Sequence, residues 1–237
     1  MDNTYFRQSS QLLYSYLMAV PLLLLYEGLL RWSSPDTELA VRVSVDVWFQ
    51  TLIHWTGLDA LSVTLFLVAA AGLVILWRDR SRIRSIKGRY LLWMVLESLF
   101  YALILAFLIT MLLDALLMAS VPHGVTKLQM FALSLGAGLY EELFFRVILV
   151  SLLVWLFRNV FKKSWMVSLV AILLAALIFS SVHYMGAYGD PWSLHSFLFR
   201  FLFAIALNIL FLKRGFGIAA WTHALYDVMV LLFQTTL

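Results

Sequence analysis

The chain contains no cysteine. That excludes disulfides, thiolate metal ligands, a cysteine nucleophile and palmitoylation, and it leaves the redox compartment undetermined. Charge is also scarce. Asp, Glu, Lys and Arg make up 13% of the 237 residues, against about 25% in an ordinary soluble domain. Proline occurs four times, and no low-complexity linker or internal repeat divides the chain. What fills the sequence is apolar: 63% of residues are hydrophobic and the mean hydropathy is +0.93. A soluble class is therefore excluded, and an all-α polytopic membrane protein is expected. The length suits one integral membrane domain, residues 1–237, with no room for a large soluble one.

A hydrocarbon core of about 30 Å needs about 20 apolar residues per helix. Seven stretches qualify: Leu12–Leu30, Leu58–Trp77, Tyr90–Met118, Leu128–Phe157, Trp165–His183, Ser196–Leu212 and Phe216–Phe233. The third and fourth are long enough to tilt or project. Leu39–His54 mixes Val, Trp and Phe with Arg42, Asp46 and Gln50, the pattern of an interfacial amphipathic helix. The N-terminal segment opens with an acid, and the long apolar run after it holds Pro21 and Glu27. It reads as a retained first helix rather than a cleaved signal.

Lysine and arginine set the expected orientation. Arg78, Arg80, Arg82, Arg84, Lys87 and Arg89 share one loop; Arg158, Lys162 and Lys163 share another, and Lys213 and Arg214 a third. The alternate loops hold only Arg31, Arg42 and Lys127. Positive-inside then places the N-terminus in the cytoplasm, in a multi-pass protein of the plasma membrane. The formal charge of +4 belongs to these loops and implies no nucleic-acid partner. Trp32, Trp77, Trp93, Trp155, Trp165 and Trp192 fall near helix ends, as an aromatic belt would.

The informative residues are the polar ones inside apolar runs. Glu141 and Glu142 stand together mid-helix, with Arg146 four residues after the second. A charge at that depth costs at least ~2.5–3.5 kcal/mol on insertion scales. Glu142 and Arg146 share a helix face and can neutralise each other. Glu141 points elsewhere and lacks a partner on its own helix. The small residues Gly136, Ala137 and Gly138 lie one turn earlier and allow close helix approach. His183 closes the fifth span, while His223 and Asp227 share a face of the seventh. Membrane bundles bury such groups together or around a water-filled cavity. Glu27, Glu97 and Asp114 read as structural, and His54, His123 and His195 as solvated. Arg200 reads as a snorkelling residue and Asn208 as an interhelical hydrogen-bond donor.

A carboxylate paired with a histidine can deprotonate water, and a second histidine can stabilise an oxyanion. Alternatively, Glu141, His183 and His223 could hold a zinc ion with one open position. The His-Glu-x-x-His motif of the standard zinc peptidase helix is absent.

Glu141-Glu142-x-x-x-Arg146, Phe179-x-x-x-His183 and His223-x-x-x-Asp227 together resemble the three ordered motifs of the CPBP family of intramembrane proteases. That family includes type II CaaX prenyl endopeptidases and Abi-like bacteriocin-processing or immunity proteins. The resemblance covers about Ser134–Asp227, within a core of about 128–237. It implies a helical bundle with an intramembrane hydrolytic site. Glu141 would activate water with help from His183, and His223 and Asp227 would form the oxyanion site. Glu142 and Arg146 would organise the first carboxylate. Many members carry asparagine where this chain has Asp227, and an ionised aspartate cannot donate to an oxyanion. Asp227 would then be protonated or would orient His223. The family has been described both as metal-dependent and as using glutamate directly, so zinc stays open. The partners implied are membrane lipid and a protein or peptide substrate, prenylated or membrane-anchored. The same fold could also serve as a non-catalytic immunity or binding protein, and buried acids could instead form an ion-coupled transport path.

Overall fold

The computed structural model describes residues 4–33, 42–113, 125–186 and 189–234. Every regular element among them is helical. A short α1 (Thr4–Ser9) precedes α2 (Leu12–Ser33), α3 (Ser44–His54), α4 (Ala60–Arg78) and α5 (Gly88–Leu113). Then come α6 (Lys127–Gly136), two π-helical stretches at Ala137–Glu141 and Leu143–Val150, and α7 (Ser151–Phe157). The chain ends with α8 (Ser164–Val182), α9 (Leu194–Arg214) and α10 (Phe216–Gln234). Asp114 and His123 lie outside the described residues.

Among the described residues, six helices are long and apolar enough to cross a membrane: α2, α4, α5, α8, α9 and α10. The fourth expected span, Leu128–Phe157, is present but is not one α-helix. It is a composite in which α6, the two π stretches and α7 follow one another. An integral membrane bundle results. The six belt tryptophans are all exposed, as lipid anchoring requires.

Local sequence sets the helix ends. Asp59 caps α4 by accepting from the Ser62 N–H at 2.8 Å. Thr126 and Gln129 form a reciprocal capping box at the start of α6. Gly215 ends α9 with φ +84°, a left-handed value suited to glycine, and α10 begins at the next residue. That tight reversal makes α9 and α10 neighbours.

α10 is the central helix. Buried residues make up 61% of its apolar window, against 11% for α4, so α10 is enclosed by protein while α4 presents most of its side chains outward. It packs on α2, α5, α6, α9 and the first π stretch. Ala219, Ala220 and Ala224 are fully buried there, letting the backbones close in.

Two ion-pair networks tie the periphery to this core. Arg214 gives Glu97 a bidentate pair, Nε to Oε1 at 2.6 Å and Nη2 to Oε2 at 2.8 Å. It also donates to the Phe6 carbonyl and Ser9 hydroxyl, while the Tyr5 hydroxyl donates to Glu97 at 2.6 Å. In the second network Arg42 spans Glu27 of α2 and Asp46 of α3. Tyr26 donates to the same Asp46 oxygen at 2.7 Å. Burial works against the charge on Arg42, and its bonds to Glu27 and Asp46 overcome that, holding the guanidinium above its ordinary range. Glu27 and Glu97 are thus structural, as their positions suggested. Among its described residues the interfacial segment is helical over α3, and it is pinned to the bundle rather than lying free of it.

Arg42→Ala would leave Glu27 and Asp46 buried without their cation. A loss of about 3–5 kcal/mol follows from removing one partner of a buried pair. Thermal unfolding in detergent should show a clear drop in midpoint, and an unchanged midpoint would contradict the pinning of α3.

Candidate active site

The motif helix widens where its charges lie. π-helical turns are rare and collect at functional sites. Here they flank Glu142, which sits at the junction of the two stretches. Nothing in the hydrophobic pattern signals this change of pitch. The small residues before it seat two neighbours. Tyr26 of α2 lies where a methyl group on Gly136 would come within 2.4 Å of its ring. A methyl on Gly138 would meet the Ala220 carbonyl oxygen at 2.5 Å and the Ala224 Cβ at 2.7 Å. Glycine at 138 therefore lets α10 touch the motif helix.

Gly138, Glu142 and Arg146 are spaced by four, so the face that meets α10 also carries the buried pair. Glu142 and Arg146 are both fully buried. Glu142 Oε1 lies 2.8 Å from Arg146 Nη1 and 2.7 Å from His223 Nδ1. An ionised carboxylate only accepts, so His223 donates from Nδ1. Arg146 has no well-directed hydrogen bond and is held by charge and by the Phe179 ring, 4.8 Å from its Cζ. The other face of the histidine contact is Asp227, whose Oδ2 is 3.5 Å from His223 Nε2. Phe203 packs edge-on against the imidazole at 5.1 Å. A line of alternating charge, Arg146–Glu142–His223–Asp227, thus joins the motif helix to α10.

His183 follows the last turn of α8. Its Nδ1 is 2.8 Å from the Phe179 carbonyl oxygen. A carbonyl cannot donate, so Nδ1 carries the proton and, in the neutral ring, Nε2 keeps its lone pair. Phe179 also packs edge-on against this ring at 4.7 Å. One phenylalanine therefore contacts both Arg146 and His183.

Glu141 is half-buried and makes no hydrogen bond or ion pair among the described residues. It lies within electrostatic reach of His223, Glu142, Arg146 and Arg200. Asp227 lies within reach of Glu141 and Glu142, and His183 within reach of His223 and Arg200. The structure thus gathers Glu141, Glu142, Arg146, His183, His223 and Asp227 into one region, from the motif helix, the end of α8 and the middle of α10. One expected contact is different: His223 meets Glu142, not Glu141. The Gly138 face is turned to α10, and Glu142 shares that face while Glu141 does not.

Among the described residues, no three His, Asp or Glu side chains form a group able to hold a metal ion. His223 has both nitrogens turned to carboxylates. Glu141, His183 and His223 in this arrangement do not fit a tetrahedral zinc site with an open position.

Arg200 was expected at the lipid surface. It is buried instead, paired with Asp190 and bonded to the Tyr184 hydroxyl at 2.9 Å and the Ser196 hydroxyl at 2.6 Å. A partner ten residues earlier, across a loop, leaves no helical spacing to reveal it. Asn208 does bridge helices, donating to the Ile172 carbonyl at 2.9 Å.

Ionisable groups from separate helices, gathered inside an apolar bundle, define the class: a membrane-embedded protein with a buried polar site. The comparison with protein families goes further. Residues 122–229 match the model of the family described as type II CAAX prenyl endopeptidase Rce1-like. The matched stretch contains all three motifs, although it spans less than half of the chain, and it bears out the resemblance carried by those motifs. No curated protein and no solved structure matches the chain.

Gly138→Ala tests the closeness of α10. The added methyl meets backbone, which cannot rotate away, so α10 must shift. Overpacking of this kind costs about 1–3 kcal/mol. The unfolding midpoint in detergent should fall accordingly, and a midpoint equal to wild type would show that α10 does not sit there.

Proposed function

We propose that the protein is an intramembrane endopeptidase that hydrolyses a peptide bond with water activated at Glu141 and His183. The observation that supports this most is the unequal state of the two adjacent carboxylates. Glu142 is fully buried and holds Arg146 and His223 through one oxygen. Glu141 is half-buried and has no hydrogen bond or ion pair among the described residues. A group already committed to two cations makes a poor base, and an unpaired one makes a better one.

In this reading water lies between the Glu141 carboxylate and His183 Nε2. Glu141 takes a proton as the water oxygen bonds to the substrate carbonyl carbon. Negative charge passes to the carbonyl oxygen. His223, held through Nδ1 by Glu142, offers Nε2–H to that oxygen. Its contact with Asp227 is long at 3.5 Å, so the donor can turn to the oxyanion while Asp227 keeps the ring oriented. Collapse breaks the carbon–nitrogen bond, and Glu141 returns its proton to the leaving nitrogen. Arg146 and Asp227 offset the neighbouring charges throughout. No step needs a metal.

The substrate class we infer is a membrane-anchored or prenylated protein chain, which would reach a site within the bilayer by lateral diffusion. The basic loops support an N-terminus in the cytoplasm, and the membrane we infer is the plasma membrane.

Purified protein in detergent should cleave one of two quenched peptides, a farnesylated CAAX sequence or its unprenylated form. Glu141→Gln should lower kcat by about 10²–10⁴-fold, the range of a lost general base, and leave the unfolding midpoint in place. Chelator should not change the wild-type rate. Full activity in the Gln variant would refute the role of Glu141, and chelator inhibition reversed by zinc would overturn the metal-free route.

A further inference from the structure

The segment after α8 is built around one ion pair that nothing above uses. We propose that Asp190 and Arg200 are positioning residues that strap the His183 end of α8 to α9 and so fix the water-activating histidine. This rests on the function proposed above.

His183 is held at three points. Its ring donates to the Phe179 carbonyl, and Phe179 supports the ring edge. The third point is the backbone: the His183 carbonyl accepts the Asp190 N–H at 2.8 Å. Carbonyls at a helix C-terminus lack intrahelical partners, so the Asp190 amide completes the end of α8. The Asp190 carboxylate is in turn held by the Arg200 Nη2.

Arg200 is itself rigid. It is 6% exposed, and it donates to Ser196 one turn earlier and to the Tyr184 hydroxyl. Its guanidinium also lies over the Tyr184 ring, 5.3 Å from the centroid. Ser180 donates to the Phe197 carbonyl at 2.7 Å, fixing α8 to the first turn of α9 just below. The loop is shaped for this closure. Gly186 has φ +85°, and a methyl on Gly189 would come within 2.7 Å of the Tyr184 carbonyl carbon. The strap therefore runs from a buried arginine, through a carboxylate, to the backbone of His183.

The pair also has an electrostatic reason to exist. Arg200 lies within reach of Glu141 and His183. Asp190 offsets its charge.

Asp190 is the residue to change, because it is the more exposed partner and its loss leaves α9 intact. In Asp190→Ala, kcat toward the peptide cleaved by wild type should fall about 10–100-fold while KM stays within about twofold, since positioning rather than binding is lost. Asp190→Glu should recover most of kcat. Hydrogen–deuterium exchange should quicken at least tenfold in the peptide spanning His183–Ser193 of the Ala variant and stay near wild type in the Glu variant. Wild-type kcat in Asp190→Ala would overturn the proposal. So would a parallel loss of kcat and unfolding midpoint that Asp190→Glu does not restore. If wild type itself cleaves neither peptide, the proteolytic reading fails, while exchange still reports whether the strap exists.

Discussion

The bundle depends on the Glu142 carboxylate. It is buried between a guanidinium on its own helix and an imidazole on another, with one oxygen serving both. Taking these groups out of water is expensive, and only close contact between opposite charges makes it tolerable. That contact requires α10 to lie against the motif helix. Gly138 and the buried alanines Ala220 and Ala224 remove the side chains that would keep the backbones apart. Small residues and buried charge are thus two halves of one arrangement. The glycine permits the approach, and the ion pair makes any other register costly.

From this contact the division between the two glutamates follows. Glu142 faces α10 and is occupied. Glu141 faces away from that pairing, stays half-buried, and lies within electrostatic reach of His223 and Arg200, as His183 does. Phe179 links the halves, contacting the Arg146 guanidinium and the His183 ring. The π-helical stretches on either side of Glu142 alter the helix pitch where these directions are decided. In the proposed mechanism one carboxylate organises and the other reacts, and adjacent residues on a helix that changes pitch hold the two.

Much of this was legible in the sequence, for physical reasons. Apolar runs mark spans because lipid tolerates little else. Charges inside such runs mark a site because of what they cost. The spacing of four between Glu142 and Arg146, and between His223 and Asp227, placed each pair on one face correctly. Which glutamate meets His223 was not legible from charge alone, although the four-residue step from Gly138 to Glu142 carried that information. Arg200 was misjudged because a basic residue near a helix end usually reaches for the surface, and its partner Asp190 lies in a loop without periodicity. The Glu27–Arg42–Asp46 network was hidden similarly, since Arg42 precedes the helix it anchors. The change to π-helical pitch leaves no mark in hydropathy.

The account stands or falls on the contact between Glu142 and His223, and a double-mutant cycle on unfolding free energy measures it directly. Glu142→Gln, His223→Ala and the double variant would be unfolded reversibly in detergent beside wild type. A buried, charge-assisted hydrogen bond predicts a coupling of about 1.5–3 kcal/mol. Additive effects, with no coupling beyond error, would contradict it and would detach α10 from the motif helix on which the proposed chemistry rests.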